Sequence, residues 1–521
     1  MARAHNLGLA SLFLLSAAAC ASCKGSATDP PLSKNAPAHE GIPNVPVPAR
    51  EGPKLFATRT GVEVFERPAK GAKRIGLLRM GAAVARAAAP YSTRDCEGGW
   101  YPVRPRGFVC ASAGASLSSA PVVPAPALDR ALPYRYGTLN AAAPIYERLP
   151  SAEEQAATEP DLRKHLAKRA LAGPKDLGTG SNDVPVDARG TPTGLPLLAK
   201  SGQGVDDKGS RTTASYFADV PTFFPPPTRA DQFATPLVAG VLRKGAGVAV
   251  ADVISSEGPD GPRSFAVLPS GQFVALDRLD PQLGSTWHGI AIDDKTELPI
   301  AFTLRHDVTL YDLDKSEATK LEEEEIARRS IVELTGKFRT IDAERYDEVK
   351  GGHWIRARDI VKVVKRSKLP DFVTGETRWV DVSLALQTLT LYEGKKPVYV
   401  TMISSGADVL GDAATSAATP RGTFPIERAA ITARLDAKEV QDAFEVLDVP
   451  WSLGFAEGAQ SADMFGAYFS DRSGEAHYHH GIALTPIDAK RVFTFAAGEP
   501  PEGWAAWDIP EEQRVTMNIR P

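Results

Sequence analysis

Cysteine is scarce in this chain: four occur among 521 residues, and none lies after Cys110. A thiol nucleophile is therefore excluded from all of the chain beyond that position. Clustered positive charge is also missing. The chain has 60 Lys and Arg against 64 Asp and Glu, and its net charge is -4. Because nucleic-acid binding depends on clustered basic residues, we expect no nucleic-acid partner.

Long apolar runs are missing apart from LGLASLFLLSAAA at 7–19, which is too short to span a bilayer as a mature helix. The run ends in small residues before Cys20, as is typical of an export signal. Small residues before a cysteine resemble a bacterial lipobox, so we predict cleavage before Cys20 and its lipidation. The alternatives are lipidation of Cys23 and a plain secretory signal cut near Ala19 or Ser22.

Glycine (44) and proline (42) are abundant, which favours short strands, turns and linkers over long helices. Residues 21–53, rich in Pro, Ala and Ser, predict a flexible tether after the signal at 1–20. With the first two cysteines assigned to processing, the spacing of Cys96 and Cys110 suits neighbouring strands. Because export permits oxidation, we predict a disulfide between them, with a reactive thiol as the alternative.

Three stretches in the middle of the chain share one pattern: an aromatic residue, a valine, a turn with Gly or Pro, and an aromatic–aliphatic pair. Two short alternating runs joined by turn residues are typical of a β-hairpin. An apolar alternating segment precedes each hairpin and predicts the first strand of the same unit. The hairpins are GWYPVRPRGFVCAS at 99–112, RSFAVLPSGQFVALDRL at 263–279 and RYDEVKGGHWIRARDIV at 345–361, preceded by GVEVFERP at 61–68, AAPIYERLP at 142–150 and DVTLYDLD at 307–314.

We therefore predict three β units, at 54–118, 130–290 and 300–368. The first unit resembles a bacterial SH3-like barrel, and the other two are more divergent. The middle unit is long because residues 151–230 are inserted in it. Such barrels in exported bacterial proteins often contact cell wall or partner peptides, although plain structural spacing is the alternative. Aromatic residues suited either to a recognition groove or to a barrel core are Trp100, Tyr101 and Trp354.

Two charged segments within these units have local interpretations. SAEEQAATEPDLRKHLAKRALAG at 151–173 begins with a serine followed three residues later by glutamate, which predicts a capped helix interrupted near Pro160. The acidic run KLEEEEIARRS at 320–330 predicts a solvated helix or loop face.

From Arg378 the sequence changes character, with alternating runs on either side of the turn EGKK that predict strands. The motifs that follow are, in order, SSG at 404–406, TPRGTFPI at 419–426, VPW at 449–451 and LTPIDAKRVF at 484–493. In this order they resemble the YkuD-type L,D-transpeptidase family, which makes peptide cross-links in peptidoglycan or attaches proteins to it. The resemblance covers about 378–520 and implies a β-rich transpeptidase-type domain at 376–521.

The resemblance implies covalent chemistry. In the family a cysteine thiolate attacks a peptide carbonyl to form a thioester, a histidine activates the thiol, and backbone amides stabilise the oxyanion. The motif is His-Gly, then Ser-His-Gly-Cys. Aligned without gaps, Phe465 takes the place of the first histidine, His479 the position of the base, and Gly481 that of the nucleophile.

A one-residue deletion would instead make His480 and Gly481 the His-Gly pair and leave no nucleophile position. Either alignment lacks a thiol, because glycine has no side chain. In a serine protease, loss of the nucleophile lowers the rate by a factor on the order of 10⁶. The sequence therefore predicts a transpeptidase fold without the ancestral reaction.

The HYHH stretch at 477–480 leaves three interpretations open. The first is a metal site of a metal-dependent hydrolase, with His477 and His479 projecting the same way on a strand and Asp471 or Glu475 nearby. The second is an active peptidoglycan transpeptidase in which His479 activates a hydroxyl nucleophile. In the third, the histidines are relics or surface residues and the cleft binds peptidoglycan stems or nothing. The hydroxyl candidates are Ser470, Ser473 and Thr485.

The fold class expected is multidomain and mainly β, with SH3-like small barrels followed by the transpeptidase-type domain. The function expected is that of a pseudoenzyme at the bacterial cell envelope, lipid-anchored at Cys20 on the periplasmic side of the outer membrane. Its expected partners are peptidoglycan peptide stems and cell-envelope proteins, with no cofactor and no resident metal. Binding candidates in the cleft are Thr419, Gly422, Tyr468, Asp471 and His480.

Overall fold

The computed structural model is mainly β, as the sequence predicts. In the part of the chain that it describes, no helix is long and apolar enough to cross a bilayer. The signal at 1–20, including Cys20, and most of the tether lie outside the described residues. The structure describes residues 43–112, 114–119, 123–172, 180–193, 216–217, 236–435, 445–456 and 462–521.

The first unit contains β1 Lys54–Ala57, β2 Val62–Phe65, β3 Arg74–Leu78, β4 Ala83–Ala85, β5 Trp100–Pro102, β6 Phe108–Cys110 and β7 Ala115–Ser116. β5 and β6 form the predicted antiparallel hairpin. The disulfide is also confirmed, with the Cα atoms of Cys96 and Cys110 5.9 Å apart. Trp100 and Tyr101 are buried, so both are core residues of the unit.

The second unit contains β8 Arg135–Leu139, β9 Ala143–Tyr146, β10 Val238–Leu242, β11 Gly247–Val250, β12 Asp252–Gly258, β13 Gly261–Val267, β14 Phe273–Ala275 and β15 Leu279–Gln282. β13 and β14 form the second predicted hairpin. The described part of the insertion contains α1 Ala152–Thr158 and α2 Leu162–Ala172. Ser151 and Glu154 cap α1 reciprocally, and the chain breaks between the helices at Pro160, as predicted.

The third unit contains β17 Ile300–Thr303, β18 Val308–Leu313, β19 Ala318–Ile326, β20 Ile331–Ile341, β21 Glu344–Val349, β22 Trp354–Arg356 and β23 Ile360–Val363, preceded by β16 Ile290–Ala291. β21 and β22 form the third hairpin. The expectation of a helix or loop in the acidic run is wrong, because β19 pairs with β18 there. β19 is an edge strand, and charged residues on an edge discourage pairing with another chain.

The C-terminal part contains β24 Arg378–Ser383, β25 Thr388–Glu393, β26 Lys396–Met402, β27 Gly422–Pro425, β28 Arg428–Leu435, β29 Val446–Ala456, β30 Ala462–Gly466, β31 Ile482–Leu484, α3 Pro486–Ala497, β32 Trp504–Asp508 and β33 Thr516–Arg520. EGKK joins β25 to β26 in a hairpin. Thr485 is the N-cap of α3, with proline at the first helical position, as the LTPIDA pattern predicts.

The largest sheet runs through parts of the molecule that are far apart in sequence. Its main path is β15-β8-β11-β29-β28-β32-β3-β2-β6-β5, and β30 continues from β29 to β31. The first unit therefore joins the C-terminal part through β3 and β32, which pair antiparallel. The second unit joins it through a single pair, Gly247 with Val446.

The main hydrophobic core also crosses the unit boundaries, because Leu55 and Leu78 of the first unit share it with Trp451 and Met517 of the C-terminal part. α3 packs on β29 and β30 beneath the sheet. Short 3₁₀ turns occur at Ser181–Asp183, Leu276–Arg278, Ala357–Asp359 and Glu511–Gln513.

Candidate functional site

The histidine stretch lies in the connection between β30 and β31 and is held by the SSG turn. The backbone amides of His477 and Tyr478 donate to the carbonyl of Ser405 at 2.8 and 2.9 Å, and Ala407 donates to the carbonyl of Tyr478 at 2.7 Å. The hydroxyl of Ser404 donates to the carbonyl of Glu475 at 2.6 Å. The expectation that 477–480 form a strand is wrong, because these bonds fix a loop and the strand begins at Ile482.

Thr419, the first residue of the TPRGTFPI motif, connects the SSG turn to position 481. Its buried hydroxyl accepts from the amide of Gly406 at 2.8 Å and donates to the carbonyl of Gly481 at 3.2 Å. Thr419 therefore positions the backbone of the site. Gly422 lies on β27, which pairs with β33, and its φ of 140° is one that favours glycine.

Gly481 faces a close aromatic neighbour. A Cβ placed on this glycine would lie 3.0 Å from Cε1 of Phe465 and 3.0 Å from the carbonyl oxygen of Asp463. Phe465 is buried and packs edge-on against Tyr478, with ring centroids 5.5 Å apart. The site is therefore shaped around a residue without a side chain, and a larger residue would require Phe465 to shift by a few tenths of an ångström.

The two histidines beside Gly481 differ in their partners. His480 has a φ of 60°, in the left-handed region, and its Nε2 lies 2.9 Å from the carbonyl oxygen of Ser416. The ring of His479 lies 4.0 Å from that of His480, and its buried Nδ1 has no hydrogen-bond partner among the described residues. Burial, assisted by the neighbouring His480, lowers the pKa of His479, which favours the neutral imidazole.

The three candidate hydroxyl nucleophiles are directed to other partners. Ser470 bonds to the hydroxyl of Tyr478 at 2.8 Å, and Ser473 donates to Asp471 at 2.9 Å. Thr485 donates to Asp488 at 2.8 Å in the cap of α3. Within the described residues, none of these hydroxyls bonds to His479.

The carboxylates near the histidines form ion pairs with the third unit. Asp471 lies 2.7 Å from Arg329, and Glu475 lies 2.6 Å from Arg328. Desolvation alone would raise the pKa of Glu475, but the hydrogen bond from Arg328 holds it below its usual range. Across the described residues, no group of three His, Cys, Asp or Glu is placed to hold a metal ion. The ion pair between Asp471 and Arg329 instead connects the histidine loop to the third unit.

Tyr468, another predicted binding residue, lies in the interior. It is 2% exposed, and its ring centroid is 4.1 Å from that of Tyr136 in the second unit. Since almost none of its surface is accessible, Tyr468 packs between units and is not available to a ligand in this conformation.

A groove that sequence reasoning missed lies on the large sheet, and its lining ends at Asp463, beside position 481. Its floor follows one row of paired residues, in which Asp508 faces Arg428, Arg428 faces Gly454, and Gly454 faces Asp463. Directly paired residues project from the same face of a sheet. The carbonyl oxygen of Asp463 adjoins Gly481, so the row ends at the histidine loop.

The groove has a volume of about 280 Å³. Small residues leave this space open on the sheet face, among them Gly76, Ala430 and Gly454. Burial raises the pKa of Asp463, and the charge of Arg428 partly offsets that effect. No motif pointed to these residues, because pairing across four strands, and no local spacing, brings Arg428 and Asp463 into one groove.

No family model and no curated protein matches this chain. Among solved structures, it is similar to an L,D-transpeptidase of Xylanimonas cellulosilytica at 15% identity, over 29% of this chain and 65% of that one, with a TM-score of 0.21. An L,D-transpeptidase of Stackebrandtia nassauensis matches at 16% identity, over 30% and 62% of the two chains, with a TM-score of 0.21. L,D-transpeptidase 3 of Mycobacterium tuberculosis matches at 16% identity, over 36% and 79%, also with a TM-score of 0.21. The alignments span less than two thirds of the first two matched chains.

Proposed function

We propose that this protein binds peptidoglycan peptide stems at the cleft around Gly481 and does not transfer them. The observation that supports this most is the pair Gly481 and Phe465, because the nucleophile position has no side chain and an aromatic ring packs against it. The left-handed φ of His480 supports the gapless register, since the family motif has glycine at that position. The bonds that direct Ser470, Ser473 and Thr485 elsewhere argue against a substitute nucleophile.

The proposal extends to the location of the protein. Lipidation of Cys20 would hold it on the periplasmic side of the outer membrane, and the tether at 21–53 would give the remaining chain reach toward the wall. The units at 54–118, 130–290 and 300–368 are proposed as SH3-like modules that contact envelope proteins. The shared sheet and core would then hold the first module and the stem-binding cleft in a fixed relation.

The absence of acyl transfer is tested by incubating protein without residues 1–20 with a carbapenem, a reagent that acylates the active-site cysteine of this family, and weighing the intact protein. We expect no adduct on the native sequence. Gly481→Cys alone would place its Cβ 3.0 Å from Phe465, so we expect a slow adduct or none. Gly481→Cys combined with Phe465→His removes that ring and restores a polar neighbour, and we expect it to form the adduct.

Stem binding is measured in parallel by co-sedimentation of the native protein with purified peptidoglycan sacculi. Retention on sacculi without a carbapenem adduct is the expected result. An adduct on the native chain that maps to 463–493 would show a working nucleophile and overturn the pseudoenzyme proposal. Failure to sediment with sacculi would overturn the proposed binding function.

A further inference from the structure

The groove on the sheet face contains one cation and one anion that form no direct ion pair with any residue that the structure describes. Arg74 and Asp508 in the same groove are paired, with Glu63 at 3.3 Å and Lys73 at 3.5 Å. By contrast, Arg428 and Asp463 make no ion pair within 4 Å and no side-chain hydrogen bond among the described residues, although the charge of Arg428 acts on Asp463 from a longer distance. The groove therefore offers two opposite charges to a ligand.

The two charges are separated by one strand. Arg428 and Asp463 flank Gly454 on either side, so their backbones are about 10 Å apart at the usual strand spacing. Arg428 leans over this glycine, where a Cβ would lie 2.7 Å from its Nε and 2.8 Å from its Nη2. Any other residue at 454 would displace the guanidinium from this position, so Gly454 keeps the floor open between the two charges.

We propose that this groove binds the zwitterionic end of an amino acid or peptide residue, one that has a free ammonium and a free carboxylate on the same carbon. The carboxylate pairs with the guanidinium of Arg428, which has the geometry for two parallel hydrogen bonds. The ammonium pairs with the carboxylate of Asp463, which accepts no side-chain hydrogen bond from the described residues. The hydroxyl of Ser452, on the strand between them, supplies a further polar group.

The combination of charges selects against simpler ligands. A plain anion would be attracted to Arg428 and repelled by Asp463. A plain cation would be attracted to Asp463 and repelled by Arg428, so each ligand has one favourable and one repulsive contact. A zwitterion satisfies both groups at once. The inference rests on the proposed function, since it identifies the part of a peptide stem that would be recognised, and the groove lies next to the proposed cleft because the carbonyl oxygen of Asp463 adjoins Gly481.

The test uses three small probes in titrations monitored by NMR. Alanine has both charges, N-acetylalanine lacks the ammonium, and alaninamide lacks the carboxylate. We expect alanine to bind the native protein at least about tenfold more tightly than either analogue. Arg428→Gln and Asp463→Asn should each weaken alanine binding by about tenfold or more, and Asp463→Asn should leave N-acetylalanine binding no weaker than before.

The matched control is Arg421→Gln. Arg421 is an exposed arginine whose side chain donates to the carbonyl of Gly411, and its loss should leave alanine binding unchanged. The inference would be overturned if alanine bound no more tightly than N-acetylalanine and alaninamide. It would also be overturned if Arg428→Gln left alanine binding unchanged. If sacculi still sediment the protein in that case, the proposed function stands without it. Alanine binding with no sacculus binding would sustain the groove as a site and remove its assignment to peptidoglycan.

Discussion

At the residue scale, the carboxyl group of Asp448 has a pKa above its usual range. Its Oδ2 accepts from the amide of Ala249 at 3.2 Å, across the join between the second unit and the C-terminal part. Burial raises the pKa of Asp448 to about 6, and hydrogen bonds from Ala249 and Thr432 offset only part of that effect. Among the described residues no cation offsets the effect of burial on Asp448, so the charged form is poorly stabilised in the folded protein.

The raised pKa predicts a loss of stability with increasing pH. The unfolded carboxyl loses its proton near pH 3.8, whereas the folded one keeps it until about pH 6. The contribution to stability is therefore fully present below pH 3.8 and is lost as the pH rises through 6, by about 2 kcal/mol between pH 4.5 and 7.5. Asp448→Asn removes this pH-dependent contribution. The free energy of unfolding of the variant, relative to that of the native protein, should therefore increase from pH 4.5 to pH 7.5. Urea unfolding of both proteins at the two pH values measures it, and an unchanged difference would contradict the assignment.

At the element scale, the break between α1 and α2 is fixed by a buried ionic network. Glu159, 3% exposed, accepts hydrogen bonds from Arg263 at 2.7 and 3.0 Å, from Arg278 at 3.0 Å and from the hydroxyl of Tyr146 at 2.9 Å. Arg278 also makes two bonds to Asp161 in the first turn region of α2. The ion pairs to Arg263 on β13 and to Arg278 after β14 therefore hold both helices against this sheet.

Glu159→Gln should destabilise the protein by about 1.5 to 3 kcal/mol, because it removes the charge that Arg263 and Arg278 share while each keeps a second carboxylate, Asp277 and Asp161 respectively. The midpoint of urea unfolding measures the effect. Glu153→Gln is the control, since Glu153 lies on the exposed side of α1, and we expect a change within about 0.5 kcal/mol. Equal effects of the two substitutions would show that the network does not hold the insertion in place.

At the scale of the whole molecule, the first unit and the C-terminal part are one packed body. β3 pairs with β32, and Trp504 of β32 is buried in the shared core with its Nε1 donating to the carbonyl of Arg104 at 3.0 Å. Gly76 of β3 lies directly against the Trp504 ring, and a Cβ there would be 2.8 Å from the carbonyl oxygen of Ala506. This contact between units is possible only because residue 76 is a glycine.

Gly76→Ala should therefore lower the stability by about 1 to 3 kcal/mol through overpacking against Trp504 and the β32 backbone. Gly240→Ala is the matched control, since Gly240 lies in β10 and a Cβ there meets nothing within 4 Å. Replacing glycine at an unstrained position usually stabilises slightly, so the two substitutions should differ in sign. Thermal unfolding tests this, and a neutral Gly76→Ala would mean that the two parts are packed loosely.

The sequence by itself determined the features that depend on local pattern. Period-two alternation placed the three hairpins, and the Ser151–Glu154 spacing placed a capped helix, because the partners in both cases lie within a few residues. The absence of cysteine after Cys110 excluded a thiol at the nucleophile position in either alignment. Thr419 was named from its motif as a binding residue, and that role stays a prediction; in the structure its hydroxyl donates to the carbonyl of Gly481.

Only the tertiary structure decided which distant residues meet. Asp471 was predicted in the binding set but pairs with Arg329, and Tyr468 is buried against Tyr136, because neighbouring units cover both side chains. The acidic run became a strand because β18 offered a free edge, a long-range pairing that overrides local composition. Arg428 and Asp463 meet in one groove through the register of four strands, and that register depends on contacts far apart in sequence.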